Sequence, residues 1–168
     1  MRTRTAAIGS VAFFVAAPVV VAGVVPWWIT GWQPGEPPPG PLARTAGVVL
    51  VTGGAAILVD AFRRFVVEGH GTPAPAAPPD ALVVHGPNRW VRNPMYVALV
   101  IVISGQALLL GRPVLWLDAA ATWAVTAAFV RMYEEPSLRR RFGEAYQRYC
   151  AEVPAWIPRP PRRYGAKG

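Results

Sequence analysis

The chain has 168 residues, of which 53% are hydrophobic and only 15% charged, with a mean hydropathy of +0.30; soluble domains carry roughly 25% charged residues, so composition argues for an integral membrane protein. The net charge of +8 does not point to nucleic acid, because the basic residues flank apolar runs or cluster after Val130, where an anionic membrane surface is the fitting partner. The lone Cys150 excludes an intrachain disulfide and a CxxC metal site, and two scattered histidines, His70 and His85, offer no metal centre.

Thr5–Gly35, Thr45–Val59 and Asn93–Gly111 contain no Asp, Glu, Lys or Arg. Each is close to the roughly 17–25 residues that cross a bilayer as a helix. Met1–Gly23 resembles a signal peptide, with Arg2 and Arg4 ahead of an apolar run. The run continues to Ile29 without a small-x-small site followed by polar sequence, so the first membrane helix is expected over Ala6–Ile29. It ends in "PWWITGW", where Trp27, Trp28 and Trp32 form an interfacial aromatic belt. "QPGEPPPGP" then reads as a short extended loop. A second helix is expected over Leu42–Val67, with Asp60 placed three and four residues before Arg63 and Arg64 to pair along one face.

The proline-rich connection that follows is too polar for lipid. A third helix starts at Pro94, a residue suited to a first helical position, with Asn93 as its N-cap, and runs to Leu110. "GRP" turns the chain into a fourth helix over Pro113–Tyr133, so the two form an antiparallel hairpin. Asp118 falls near the outer end of the fourth helix and is assigned to interfacial solvation. A last helix restarts at Pro136. Its residues Leu138, Phe142, Ala145, Tyr146 and Tyr149 make one apolar stripe, with Arg139, Arg140, Glu144, Gln147 and Arg148 on other faces. Such a basic amphipathic helix is expected to lie along the membrane surface, and Trp156 of the tail to anchor in the headgroups.

Arg2, Arg4, Arg63, Arg64, Arg89, Arg92 and the C-terminal cluster all fall on one side of this arrangement. The other side has only Glu36, Arg44, Arg112 and Asp118. By the positive-inside rule, both termini and the long connection are cytoplasmic, in a bacterial-type inner membrane. The expected fold class is therefore an all-α integral membrane protein with about four transmembrane helices, a C-terminal amphipathic interfacial helix and no β-sheet. Residues 1–72 would carry the first two helices, and residues 73–168 would form one folded unit around the functional site.

Two polar clusters are not explained by anchoring: "HGPNRWVRNPMY" where helix three begins, and "RMYEEP" where helix four ends. A tight hairpin brings these ends within about one helix diameter, near 10 Å. Glu134 and Glu135 supply negative charge, Arg89 and Arg92 positive charge, and the free N–H groups of a helix start favour an anion. Trp90, Tyr96 and Tyr133 offer aromatic faces to a cation. A zwitterion with a further positive centre and a flat ring satisfies all of these, and S-adenosylmethionine is such a molecule.

"GPNRWVRNPMY" and, one hairpin later, "YEEPSLRRRFGEAYQRYCAEVPAWIPR" resemble the phospholipid methyltransferase and isoprenylcysteine carboxyl methyltransferase superfamily. The resemblance covers about Pro73 to Arg159. It implies an intramembrane S-adenosylmethionine site in which His85, Gly86 and Pro87 wrap the cofactor by their backbone. Arg92, Asn93 and Tyr96 would line the pocket, and Glu134 and Glu135 would hold amino or ribose groups. The sequence departs from the family pattern at Asn88, usually tyrosine, and at Asn93, usually histidine; an asparagine cannot serve as a base near neutral pH.

Methyl transfer is a one-step in-line displacement in which positioning and desolvation dominate, so the absence of a catalytic dyad or nucleophilic serine fits it. Arg92 is expected to orient an anionic group of cofactor or acceptor, and Glu135 to fix the methionyl amine. The expected acceptor is a lipid or lipophilic carboxylate or amine reaching the site from the membrane. Two alternatives remain open at this stage: a non-catalytic membrane scaffold of the same fold, and an NADPH-dependent enzyme like the sterol reductases.

Overall fold

The structure, a computed structural model, describes residues 16–68 and 82–160, and all its regular elements among these are helical. They are α1 (Ala16–Thr30), α2 (Pro41–Glu68), α3 (Pro94–Leu110), α4 (Val114–Phe129) and α5 (Glu135–Glu152). A 3₁₀ turn, Gly86–Arg89, precedes α3. The part of the expected first helix ahead of Ala16, residues 69–81 of the connection and the tail from residue 161 lie outside the described residues.

Pro41–Arg64 and Val114–Glu152 are long and apolar enough to cross a membrane; Ala16–Thr30 and Pro94–Leu110 are apolar but shorter. The outer surfaces of these helices carry large apolar side chains in the open. Leu42 is 84% exposed, Trp28 80%, Leu117 71% and Val125 69%. A contiguous apolar exterior of this kind is what a lipid solvent accepts and water does not. In the fourth helix the apolar part ends at Val130, before Arg131.

Close backbone approach joins α2 to α3. A Cβ on Gly47 would sit 2.7 Å from the Gly105 carbonyl oxygen, and one on Gly105 would sit 2.8 Å from the Val51 amide nitrogen. Without a hydrophobic driving force in lipid, such small-residue contacts are how helices gain packing energy. The hairpin of α3 and α4 turns at Gly111, whose left-handed φ of 62° ends α3. Ile103 and Ala107 of α3 pack there on Leu115 and Ala119 of α4, with Val21 and Ala22 of α1 against them. The loop after α1 docks on the same end, its Gly35 N–H donating to the Leu110 carbonyl at 2.7 Å.

The expected restart at Pro136 does not occur as a break. The fourth helix passes through a π-turn, Val130–Glu134, directly into α5. A second π-turn, Val20–Val24, likewise sits just ahead of Pro26 in α1. Proline lacks an N–H and crowds the carbonyl four residues back, and the extra residue of a π-turn relieves both problems. The true interruption comes later, at Gly143, with φ 50° and ψ −123°.

The apolar stripe of α5 also has a different partner from the one expected. Tyr146 and Tyr149 are buried with Val153, against Leu82, Val84, Leu138 and Phe142. The stripe thus packs on the chain's own connection and tail, while Ala145 remains exposed. Trp156 contacts Trp123 of α4 edge-on, with centroids 6.1 Å apart. Asn93 holds the N-cap position of α3 but makes no side-chain cap bond; its Nδ2 donates instead to the Ala155 carbonyl at 3.0 Å.

Candidate functional site

Four of the residues singled out in the sequence meet where α3 begins and the π-turn leads into α5. Arg92 Nη2 lies 3.3 Å from Glu135 Oε1, and Tyr96 donates its hydroxyl hydrogen to Glu134 Oε2 at 3.1 Å. The hairpin enforces this meeting, since a short turn at one end of two antiparallel helices leaves their other ends adjacent. The Arg92–Glu135 pair is shielded, with side chains 15% and 20% exposed. Arg139 approaches the second Glu135 oxygen at 3.9 Å from one turn further along α5. Arg92 also donates from Nη1 to Cys150 Sγ, while its buried Nε has no partner.

The backbone around Arg92 is held from two sides. Its N–H donates to the Pro154 carbonyl at 2.8 Å, and the Arg159 N–H donates to the Trp90 carbonyl at 3.0 Å. The tail therefore runs beside the segment that enters α3. Asn88, buried in the 3₁₀ turn, accepts at its carbonyl from the Tyr149 hydroxyl at 2.7 Å. The turn needs Gly86 for its positive φ of 59°, and the Arg64 side chain lies against that glycine. Arg64 is at the same time the partner of Asp60, at 3.0 Å.

The sequence-predicted residues thus fall into two groups. Arg92, Tyr96, Glu134 and Glu135 are brought together. His85, Gly86 and Pro87 form the turn that α5 and Arg64 brace, with the His85 side chain exposed; Asn93 points its amide at the tail. Trp90 and Tyr133 are about half exposed, and Tyr133 stacks on Phe129. Sequence reasoning missed Cys150 and the carbonyls of Pro154 and Ala155. The carbonyls leave no sequence signature, whereas Cys150 directly follows Tyr149 in the stripe and was legible as its neighbour.

The two acids are held differently: Tyr96 donates to Glu134, whereas Arg92 and Arg139 face Glu135.

Behind this polar end lies a cavity of about 380 Å³ between α1, α2, α3 and α4. Its walls are almost wholly apolar, including Val21, Leu58, Leu99 and Val125, and Tyr96 forms part of them. Asp118 lines it as well; the residue is half-buried, and among the described residues its buried Oδ2 has no hydrogen-bond partner.

Helices with lipid-compatible exteriors, one polar end and an apolar cavity beneath it define an all-helical protein of membrane type. A family model described as phospholipid methyltransferase matches residues 42–145. The chain belongs to the phospholipid methyltransferase family. The match takes in α2, α3, α4 and the first part of α5. An uncharacterized protein of Haemophilus influenzae is 32% identical over 63 residues, which is 38% of this chain and the whole of that relative. No solved structure matches the chain.

Proposed function

We propose that the protein is an integral membrane methyltransferase that uses S-adenosylmethionine to methylate a lipid or lipophilic acceptor, a carboxylate or an amine. The observation that carries this reading is the pairing of Arg92 with Glu135 and of Tyr96 with Glu134 at one end of the hairpin. Family membership supports it independently.

The residues present fit a zwitterionic guest. Glu135 would take the amino group and Arg92 the carboxylate, so one internal ion pair is exchanged for two intermolecular ones with no charge left bare. The unpartnered Arg92 Nε adds a donor that the carboxylate can use. Glu134 and Tyr96 would meet further amino or ribose groups, and the His85-Gly86-Pro87 turn would lie along the cofactor by its backbone, with Asn93 holding the adjoining wall. When bound, S-adenosylmethionine supplies an electrophilic methyl group on a sulfonium.

The chain's own contribution is positioning and exclusion of water. The tail segment 153–159 and the α5 stripe cover the site, and the cavity below Tyr96 would hold the acceptor's apolar part. Dry surroundings strengthen each charge contact and favour in-line displacement. Asn93 cannot accept a proton in the working range, so an amine acceptor would arrive already neutral. By the arginine bias, the cofactor side would face the cytoplasm.

The test is transfer of label from methyl-labelled S-adenosylmethionine into a total bacterial lipid extract by the purified protein in bilayers. Labelled lipid is the expected outcome, and its identity names the acceptor. No incorporation, together with thermal stabilisation by NADPH and not by S-adenosylhomocysteine, would reverse the reading.

A further inference from the structure

The cavity beneath Tyr96 carries one feature that a store for plain hydrocarbon does not need. Its lining on α4 extends from Asp118 to Thr126, about 12 Å of helix at about 1.5 Å per residue. Because α3 and α4 are antiparallel, Met95 and Tyr96 in the first turn of α3 lie toward the opposite end from Asp118. The chamber is thus long and apolar, with the reactive end proposed above at one limit and a single charged side chain at the other.

Asp118 is the fifth residue of α4 and sits in a helix that is otherwise uncharged from Val114 to Val130. A carboxylate against an apolar wall is costly unless a partner meets it, and intramembrane ionisable residues face cavities or partners for that reason. Among the described residues nothing bonds the buried Oδ2 of Asp118, although the residue as a whole is only half-buried. Thr122, one turn along on the same helix face, does not bond that oxygen, and Thr126, a turn further, donates its hydroxyl to the Thr122 carbonyl at 2.7 Å.

We infer that the cavity selects an acceptor whose apolar chain carries a hydrogen-bond donor, a hydroxyl or protonated amine, about 12 Å from the group beside Tyr96, and that Asp118 receives that donor. This deepens the methyltransferase reading and rests on it for the word acceptor, although the binding itself does not. A plain fatty chain would leave the Asp118 oxygen bare. A chain with a donor at the far end satisfies it and fixes how deep the molecule sits, which sets the position of its other end at Tyr96. Asp118 acts here as a specificity-determining residue.

The experiment uses the full chain in phosphatidylcholine nanodiscs without cofactor and compares a long-chain terminal diol with the mono-alcohol of equal carbon number at equal mole fraction in the bilayer. Displacement of a bound fluorescent fatty alcohol is the readout. The diol is expected to bind at least about tenfold tighter in the wild type, the scale of one hydrogen bond to a charged group. Asp118→Leu is expected to remove that preference while still binding the mono-alcohol. Equal binding of the two probes by the wild type would overturn the proposal, as would a preference that persists in Asp118→Leu. Since no cofactor is present, a failure of methyl transfer to lipid leaves this result untouched, and the two readings fall separately.

Discussion

Replacing Glu135 with alanine is expected to weaken binding of S-adenosylhomocysteine by at least about 30-fold while the helices stay formed. The figure follows from the roughly 2–5 kcal/mol lost when one partner of a shielded charge pair is truncated. Glu135 is mostly covered, faces Arg92 at 3.3 Å and is approached by Arg139 at 3.9 Å, so its loss removes the anion around which two cations are organised. Folding should survive, because Arg92 keeps its bond to Cys150 and its backbone bond to Pro154. Glu135→Gln separates charge from shape: it should bind with intermediate affinity, since the amide still accepts a hydrogen bond but no longer neutralises an ammonium group. Calorimetric titration of both variants in detergent, with circular dichroism as the folding control, measures the effect. Wild-type affinity in Glu135→Ala would remove this residue from the proposed amine site.

The second large effect is on assembly. Gly105→Val is expected to detach α2 from α3, because the new side chain would start 2.8 Å from the Val51 nitrogen and 2.9 Å from the Gly47 carbonyl oxygen. Both are backbone atoms, so relief requires the helices to move apart along their shared seam. Overpacking of a well-fitted contact typically costs about 1–3 kcal/mol, and a backbone collision belongs at or above the upper end. A fall in melting temperature of about 6 °C or more follows. Gly53→Val on α2 is the control, since a Cβ there meets nothing within 4 Å. Equal melting temperatures for the two variants would contradict the packing described.

Element boundaries were legible where punctuation is strong. Pro94 and the Gly-Arg-Pro turn mark α3 to the residue, and α2 lies within a residue of its expected span at either end. The juxtaposition of Arg92 and Tyr96 with the acid pair was also legible, because a short hairpin leaves its open ends nowhere else to go. What escaped the sequence depends on long-range partners. The α5 stripe has the periodicity of a membrane-surface helix, and periodicity does not say whether lipid or Leu82 and Val153 cover it. Asn93 was read through its local role as a cap, whereas its amide serves a carbonyl 62 positions away. Pro136 was read as the start of a separate helix, and the π-turn that joins it to the fourth helix has no composition of its own.

That uninterrupted passage from α4 into α5 has a consequence for depth. The twenty-one residues from Val114 to Glu134 rise about 30 Å, which is also about the thickness of a bilayer's hydrocarbon layer. The fourth helix can thus serve as a ruler: with its far end at one boundary, the acid pair would arrive at the other, where the proposed water-borne cofactor and lipid-borne acceptor would share a border. A break at Pro136 would have left α5 free to tilt and Glu135 without a defined height.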